Sequence, residues 1–240
     1  MTPLQTAFGS SVVVLPVIHL FNEEQAVSEA RAAFGAGADG VFVIDHECDN
    51  AATRRAALAV HRALRGDGYL RPWVGLNLLG TRSAQEAFEY LQMRGAPGLS
   101  GVWCDAPARG YVKPPYRPDV EGVFGALLFS GVEFKVGGDP GGMQVEVPAA
   151  LAAGTDVLTT SGPGTGMPCR PEKVRRLRAL AGPDASVAVA SGVTAENARE
   201  LVEAGADGLL IASGIAQDGD FHRLDPDKLR AVLANARGRR

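Results

Sequence analysis

From end to end the chain alternates short apolar, β-branched runs with longer helical stretches, and few folds accept that pattern. The runs are Val12–Ile18, Gly40–Ile44, Trp73–Leu78, Gly101–Cys104, Val132–Val136, Asp156–Thr160, Ser186–Ala190 and Gly208–Ile211. Most are apolar throughout rather than on alternate residues, the pattern of a parallel strand covered on both faces. The stretches between them carry helix-start signals. Asn22 with Gln25 and Ser83 with Glu86 have capping-box spacing, and Asp225 stands before Pro226 as an N-cap before a first-turn proline. A small repeat, Ala36-Gly37-Ala38-Asp39-Gly40, returns as Ala204-Gly205-Ala206-Asp207-Gly208 and is echoed by Gly154-Thr155-Asp156. Each copy falls where a helix should stop and a strand begin, and its glycine permits the left-handed turn that ends a helix.

Eight such units fit a closed α/β barrel of parallel strands, a single (β/α)₈ TIM barrel occupying residues 1–240, with a flexible tail at 237–240. No G-x-G-x-x-G follows the first run, so a dinucleotide-binding sheet lacks its fingerprint. The weakest unit is the fifth: Gly137, Gly138, Gly141 and Gly142 precede what must be a short helix before Asp156. The 240 residues are 46% hydrophobic with a net charge of −3, which supplies a continuous core and no basic face for nucleic acid. The terminal Arg237-Gly238-Arg239-Arg240 reads as a frayed, solvated end. Val12 to Leu20 is interrupted by Pro16 and His19 and is too short to span a bilayer; no signal peptide or membrane insertion is expected. Cys48, Cys104 and Cys169 are dispersed and odd in number, favouring a reducing, cytoplasmic setting without disulfides or structural zinc. A homo-oligomer is compatible with the sequence.

In this architecture the chemistry sits at the C-terminal ends of the strands. That rule selects His19, Asp45, His46, Asn77, Asp105, Glu133 and Lys135. It also selects three glycine-rich turns: Ser161 to Gly166 with Gly164 and Thr165, then Ser191-Gly192-Val193, then Ala212-Ser213-Gly214. Turns after the seventh and eighth strands are the frequent phosphate site of such barrels, because glycine allows close backbone approach and helix-start N–H groups attract anions. The alternative is that these glycines make tight turns and nothing more. The Ser161–Gly166 turn is either a third wall of that site or a plain loop.

Glu133 and Lys135, two apart in the predicted fifth strand, would share one face and pair inside the barrel. Lys135 is then an acid, an electrostatic stabiliser or a Schiff-base nucleophile, or half of a structural pair. Asp45 or Asp105 would be the base, with His19 beside them, although a rim carboxylate that caps the next turn is at least as common. His19 and His46 with these aspartates could also gather a divalent metal, but spacing alone does not assign one, and neither metal nor organic cofactor is expected. His61 lies in a helical stretch, His222 in a polar loop without an evident partner, and Cys104 reads as a small core residue. The long segment Asp105–Asp119, with Arg109, Tyr111, Lys113, Tyr116 and Arg117, is either a lid over the anion site or an exposed loop.

With these residues in place the chain resembles the BtpA family of barrels. The likeness is carried by Pro16-Val17-Ile18-His19-Leu20, by Gly37-Ala38-Asp39-Gly40, by Gly75-Leu76-Asn77-Leu78-Leu79, by the Ser161–Gly166 turn, and by Asp218-Gly219. Ser191-Gly192-Val193-Thr194-Ala195-Glu196-Asn197 is similar also to phosphoribosylanthranilate isomerase and other phosphate-binding barrels. The chain departs from the family in its fourth unit, which reads Val102-Trp103-Cys104-Asp105 and Arg109-Gly110-Tyr111 in place of R-V-N and D-Q-G. It also departs after Lys135, where Val136-Gly137 replaces histidine. The strand-end residues and the glycine turns together imply an enzyme acting on a phosphorylated sugar or nucleoside-like molecule by isomerase or lyase chemistry. The alternatives are a non-catalytic assembly or regulatory protein and a Schiff-base aldolase using Lys135.

Overall fold

The structure, a computed structural model, describes residues 1–94, 97–110, 125–135, 142–218 and 220–238. Eight parallel strands close on themselves in chain order. They are β1 (Val13–His19), β2 (Gly40–Ile44), β3 (Trp73–Asn77), β4 (Gly101–Cys104), β5 (Leu127–Gly131), β6 (Val157–Ser161), β7 (Ser186–Ala190) and β8 (Gly208–Ile211). The ring is sealed where Val13 to Pro16 pair with Gly208 to Ile211. The described helices are α1 (Pro3–Phe8) before the barrel, then α2 (Glu23–Ala36), α3 (Asn50–Gly66), α4 (Ala84–Arg94), α5 (Met143–Ala152), α6 (Pro171–Ala181), α7 (Ala195–Glu203) and α8 (Pro226–Ala236). This is the single (β/α)₈ barrel that the alternation predicts. Among the described residues no helix is long and apolar enough to cross a membrane.

Because each strand is buried on both faces, its side chains divide between two cores. Val14, Val41, Val43, Val74 and Val102 point outward under the helices. Val13, Leu15, Phe42, Trp73, Trp103, Leu127 and Phe129 fill the barrel. Phe42 meets Trp73, Trp103 and Phe129 edge to face, with ring centroids 5.1, 5.6 and 5.0 Å apart. Short α1 closes the N-terminal end of the barrel. Its Leu4 is fully buried and its N–H donates to Ser186 Oγ (3.0 Å).

The N-caps act as read, although Gln25 and Glu86 accept from the N–H groups of Phe21 and Arg82 instead of closing the box on Asn22 and Ser83. Asn22 accepts from the Gln25 N–H, Ser83 from that of Glu86, and Asp225 from those of Asp227 and Lys228. In the repeat, Gly37 and Gly205 take left-handed φ values of 99° and 111°. The aspartate of each copy does something the spacing does not announce. Asp39 Oδ2 accepts the N–H of Val14 (2.7 Å), Asp156 Oδ2 that of Leu128 (2.7 Å), and Asp207 Oδ2 that of Val187 (2.9 Å). Each carboxylate therefore fastens the beginning of its own strand to the strand before it. Arg178 pairs with Asp207, and Arg237 Nη2 donates to Asp39 (2.6 Å). Arg237 is thus anchored rather than frayed, while Arg239 and Arg240 lie outside the described residues.

The fifth strand differs from the sequence expectation. It is Leu127–Gly131, and Val132–Lys135 form the turn that follows it. Both members of the predicted Glu133–Lys135 pair have left-handed backbones, φ 43° and 53°. Alternation of Val132, Phe134 and Val136 with polar residues imitates a strand. Val132 packs under the helices and its N–H donates the last ladder bond to the Thr159 carbonyl (2.8 Å), whereas Phe134 is buried because the turn folds over the barrel mouth. β1 and β6 each sit one residue further along than read, so His19 and Ser161 end strands rather than follow them.

Candidate active site

At the C-terminal end of the barrel lies a cavity of about 570 Å³, open mouth included. All eight strands deliver a residue to it. They are His19 from β1, His46 after β2, Asn77 from β3, Asp105 after β4, Phe134 and Lys135 after β5, Thr165 and Gly166 after β6, Ser191 after β7 and Ser213 after β8.

Asp105 is the chemical centre of this group. Asn77 Nδ2 donates to its Oδ1 and Lys135 Nζ to its Oδ2, both at 3.4 Å. Burial raises the Asp105 pKa above the ordinary carboxylate value, with Lys135 and Asn77 opposing the rise. Lys135 is presented from a backbone conformation that disfavours any side chain, at a cost of about 1–3 kcal/mol. Its turn is braced accordingly. The Lys135 N–H donates to Ser161 Oγ (2.7 Å), the Glu133 N–H to Glu146 Oε2 (2.5 Å), and Lys173 Nζ to the carbonyls of Glu133 (2.6 Å) and Ser161 (2.9 Å). Glu133 itself turns away from Lys135. It accepts the Met143 N–H and lies 3.5 Å from Arg176, so the predicted pair within the barrel is replaced by Asp105–Lys135.

His19 and His46 face each other with ring centroids 4.7 Å apart. Burial first, then the charges of His46, His222 and Lys135, lower the His19 pKa to about 4, so its ring is neutral at pH 7. Two buried atoms of cavity residues, Asn77 Oδ1 and Trp103 Nε1, have no partner among the described residues.

Opposite Asp105 the last three turns stack on one another. Ser191 (φ 70°) and Gly192 (φ 64°) are both left-handed. Ser191 Oγ accepts the Gly166 N–H and donates to the Gly164 carbonyl, each at 2.9 Å. A side chain on Gly192 would lie 2.4 Å from the backbone of Met167 and Pro168, and one on Gly214 would lie 1.9 Å from the Val193 carbonyl. These glycines are therefore required for turn-on-turn packing. Val193 is buried and contributes backbone alone. The N–H groups of Gly192, Val193, Ser213 and Gly214 make no backbone hydrogen bond among the described residues. Thr194 and Asn197 form a reciprocal capping box at the start of α7, and Ser213–Ile215 is a single 3₁₀ turn.

Beyond that turn, β9 (Ala216–Gln217) and β10 (Asp220–Leu224) make a hairpin at the mouth, which the sequence reading leaves as a polar loop. His222 has partners after all. Its Nδ1 lies 3.1 Å from the His19 carbonyl, and its ring tilts against Phe21. Gln25 Nε2 donates to the carbonyls of both His19 (3.2 Å) and His222 (2.7 Å). Phe221, on the same hairpin, lines the cavity beside His19.

The remaining candidates fall elsewhere. Asp45 is buried beside the outer lip, outside the central cavity, and its two oxygens accept the N–H groups of Glu47 and Asp49 at 3.0 Å. It caps a turn. His61 packs over Gly98, and burial pushes the Cys104 thiol pKa up. Asp218 pairs with Lys228 at 2.6 Å, whereas Gly219 lies outside the described residues, as do 111–119 of the predicted lid and Val136 to Gly141. Among the described residues no three His, Cys, Asp or Glu side chains are grouped to hold a metal ion. Sequence reasoning misses Trp103, Phe134 and Phe221 as cavity walls. The alternating Asp220-Phe-His-Arg-Leu is the signal that could have revealed the hairpin.

No protein-family model matches the chain, and no curated protein matches it in sequence. Solved structures match along almost all of it. A structure described as native KDPGal is 17% identical, with a TM-score of 0.64 over 96% of this chain and 97% of that one. Phosphoribosyl anthranilate isomerase from Thermus thermophilus is 18% identical, with a TM-score of 0.60 over 95% and 100%. (S)-3-O-geranylgeranylglyceryl phosphate synthase from Thermoplasma acidophilum, in complex with its substrate sn-glycerol-1-phosphate, is 17% identical, with a TM-score of 0.60 over 99% and 99%. At these identities the likeness shows a common barrel fold.

Proposed function

We propose that the chain is an enzyme that binds a phosphorylated small molecule and isomerises or cleaves it by proton transfer. The observation that carries this reading is one cavity with two unlike walls. On one side the stacked glycine turns bring Thr165, Gly166, Ser191 and Ser213 to the wall, and on the other the half-buried Asp105 carboxylate is paired with the Lys135 ammonium. The phosphate would sit on Ser191, Gly192, Ser213 and Gly214, with Gly164 and Thr165 at its edge. That position is the frequent phosphate site of such barrels. Asp105 would take a proton from a carbon beside a carbonyl, its raised pKa making it the stronger base. The Lys135 ammonium would stabilise the oxygen charge that develops, with neutral His19 as a further hydrogen-bond donor. Asp45 takes no part. The neighbouring phosphoribosyl anthranilate isomerase and the synthase bound to sn-glycerol-1-phosphate agree with this reading, as does the resemblance of Ser191–Asn197 to phosphate-binding barrels and to the BtpA family, in a cytoplasmic setting.

The Asp105 contact employs Lys135 as an ammonium, whereas a Schiff-base aldolase needs its free amine. Proton transfer is therefore preferred. The deciding experiment is calorimetry with inorganic phosphate. Ser213→Asp places a like charge at the anion site without entering the glycine packing, and should weaken phosphate at least about tenfold, or 1.4 kcal/mol. Asp105→Asn should leave phosphate binding in place. Equal affinity of wild type and Ser213→Asp would sink the proposal.

A further inference from the structure

We infer that the part of the substrate away from its phosphate is an uncharged, planar unsaturated ring rather than a polyhydroxylated sugar chain. This rests on the proposed phosphate site and names what lies beyond it. Between the stacked turns and Asp105 the cavity wall is apolar: Val17, Ile44, Trp103, Phe134, Leu210 and Phe221. Polar side chains ring the cavity, one from each strand end, but most of its exposed wall is carbon, and Asp105 already accepts from both Asn77 and Lys135. A sugar chain buried here would set several hydroxyls against carbon, and each one left unpartnered weakens binding on the order of tenfold. A flat ring needs few partners and gains from apolar contact on both faces.

The mouth supports the same conclusion independently. Phe221 is 58% exposed, yet it is held firmly in place. Its hairpin is tied to the barrel by His222 Nδ1 at the His19 carbonyl, by Gln25 bridging His19 and His222, and by the Leu224 N–H on Glu29 Oε2. The Phe221 ring lies nearly parallel to that of His19, at 17° with centroids 6.1 Å apart. Since His19 titrates at about 4, the pair presents two neutral ring systems at pH 7. An aromatic side chain braced at the lip of an apolar cavity is shaped to cover a flat ligand.

The test compares three probes by calorimetry: inorganic phosphate, ribose 5-phosphate and phenyl phosphate. Phenyl phosphate should bind at least tenfold more tightly than either of the others. Phe221→Ala, at an exposed position where folding is not at stake, should erase that advantage, and Phe221→Tyr should keep it. Ribose 5-phosphate binding as tightly as phenyl phosphate overturns this inference and leaves the phosphate reading standing, as does a preference that survives Phe221→Ala. If none of the three binds, the phosphate reading fails and this inference falls with it.

Discussion

Asp105 shows how one residue trades stability for chemistry. Its pKa is raised in the folded protein, so folding favours the protonated acid. In the pH interval between its ordinary value and the raised one, the folded state binds more protons than the unfolded state, and stability falls as pH rises. Below that interval the carboxyl is protonated in both states and costs nothing. Asp105→Asn should therefore raise the melting temperature at pH 7 and change it little near pH 3. A variant that is less stable at pH 7 would show that the Lys135 contact outweighs the burial. Asp105 and Asp45 look alike in the sequence, since a carboxylate at a strand end can aim inward or cap the next turn. What separates them is the path of the backbone after the strand. The chain turns at once behind Asp45 and brings the N–H groups of Glu47 and Asp49 onto its oxygens, whereas Asp105 meets side chains from β3 and the β5 turn. Such long-range partners leave no mark in local spacing.

At the scale of strands and helices the sequence is most readable where burial is two-sided, because a short run of carbon side chains with no polar face fits few places other than a strand sandwiched between layers. The fifth unit is misread because Leu127–Phe129 is followed at once by a second apolar pattern, and periodicity does not say which of the two carries the ladder. The repeat is legible in its glycine and silent in its aspartate. That aspartate joins neighbouring strands at three places around the barrel, through Val14, Leu128 and Val187. In Asp156 the carboxylate is buried and accepts the Leu128 N–H within a strand flanked on both sides. Asp156→Ala strands that donor without solvent to replace its partner, and should lower the unfolding free energy by about 1–3 kcal/mol. Asp156→Asn retains an acceptor oxygen and should cost less. Urea denaturation of the two variants checks both magnitude and order; equal losses would point to the charge rather than to the hydrogen bond.

Across the whole molecule the two ends of the barrel have different tasks. The polar and strained residues gather at the C-terminal mouth: the left-handed Lys135 and Ser191, the neutral His19 and the raised Asp105. The opposite end is closed by carbon. Leu4 of α1 is fully buried, fits against the bare backbone of Gly208, and is fixed by its N–H bond to Ser186. Barrels of this type keep chemistry and stability at opposite faces, so a defect at one end need not reach the other. Leu4→Ala opens a cavity in the interior layer and should cost about 2–5 kcal/mol of stability. The tightly packed rings of Phe42, Trp73, Trp103 and Phe129 lie between that cavity and the active-site end, and close-packed interiors relax only partly around a void. The affinity of Leu4→Ala for inorganic phosphate should therefore match that of the wild type at temperatures where both are folded. A parallel loss of stability and of phosphate affinity would mean that the interior transmits strain along the barrel axis, and that the mouth depends on the plug.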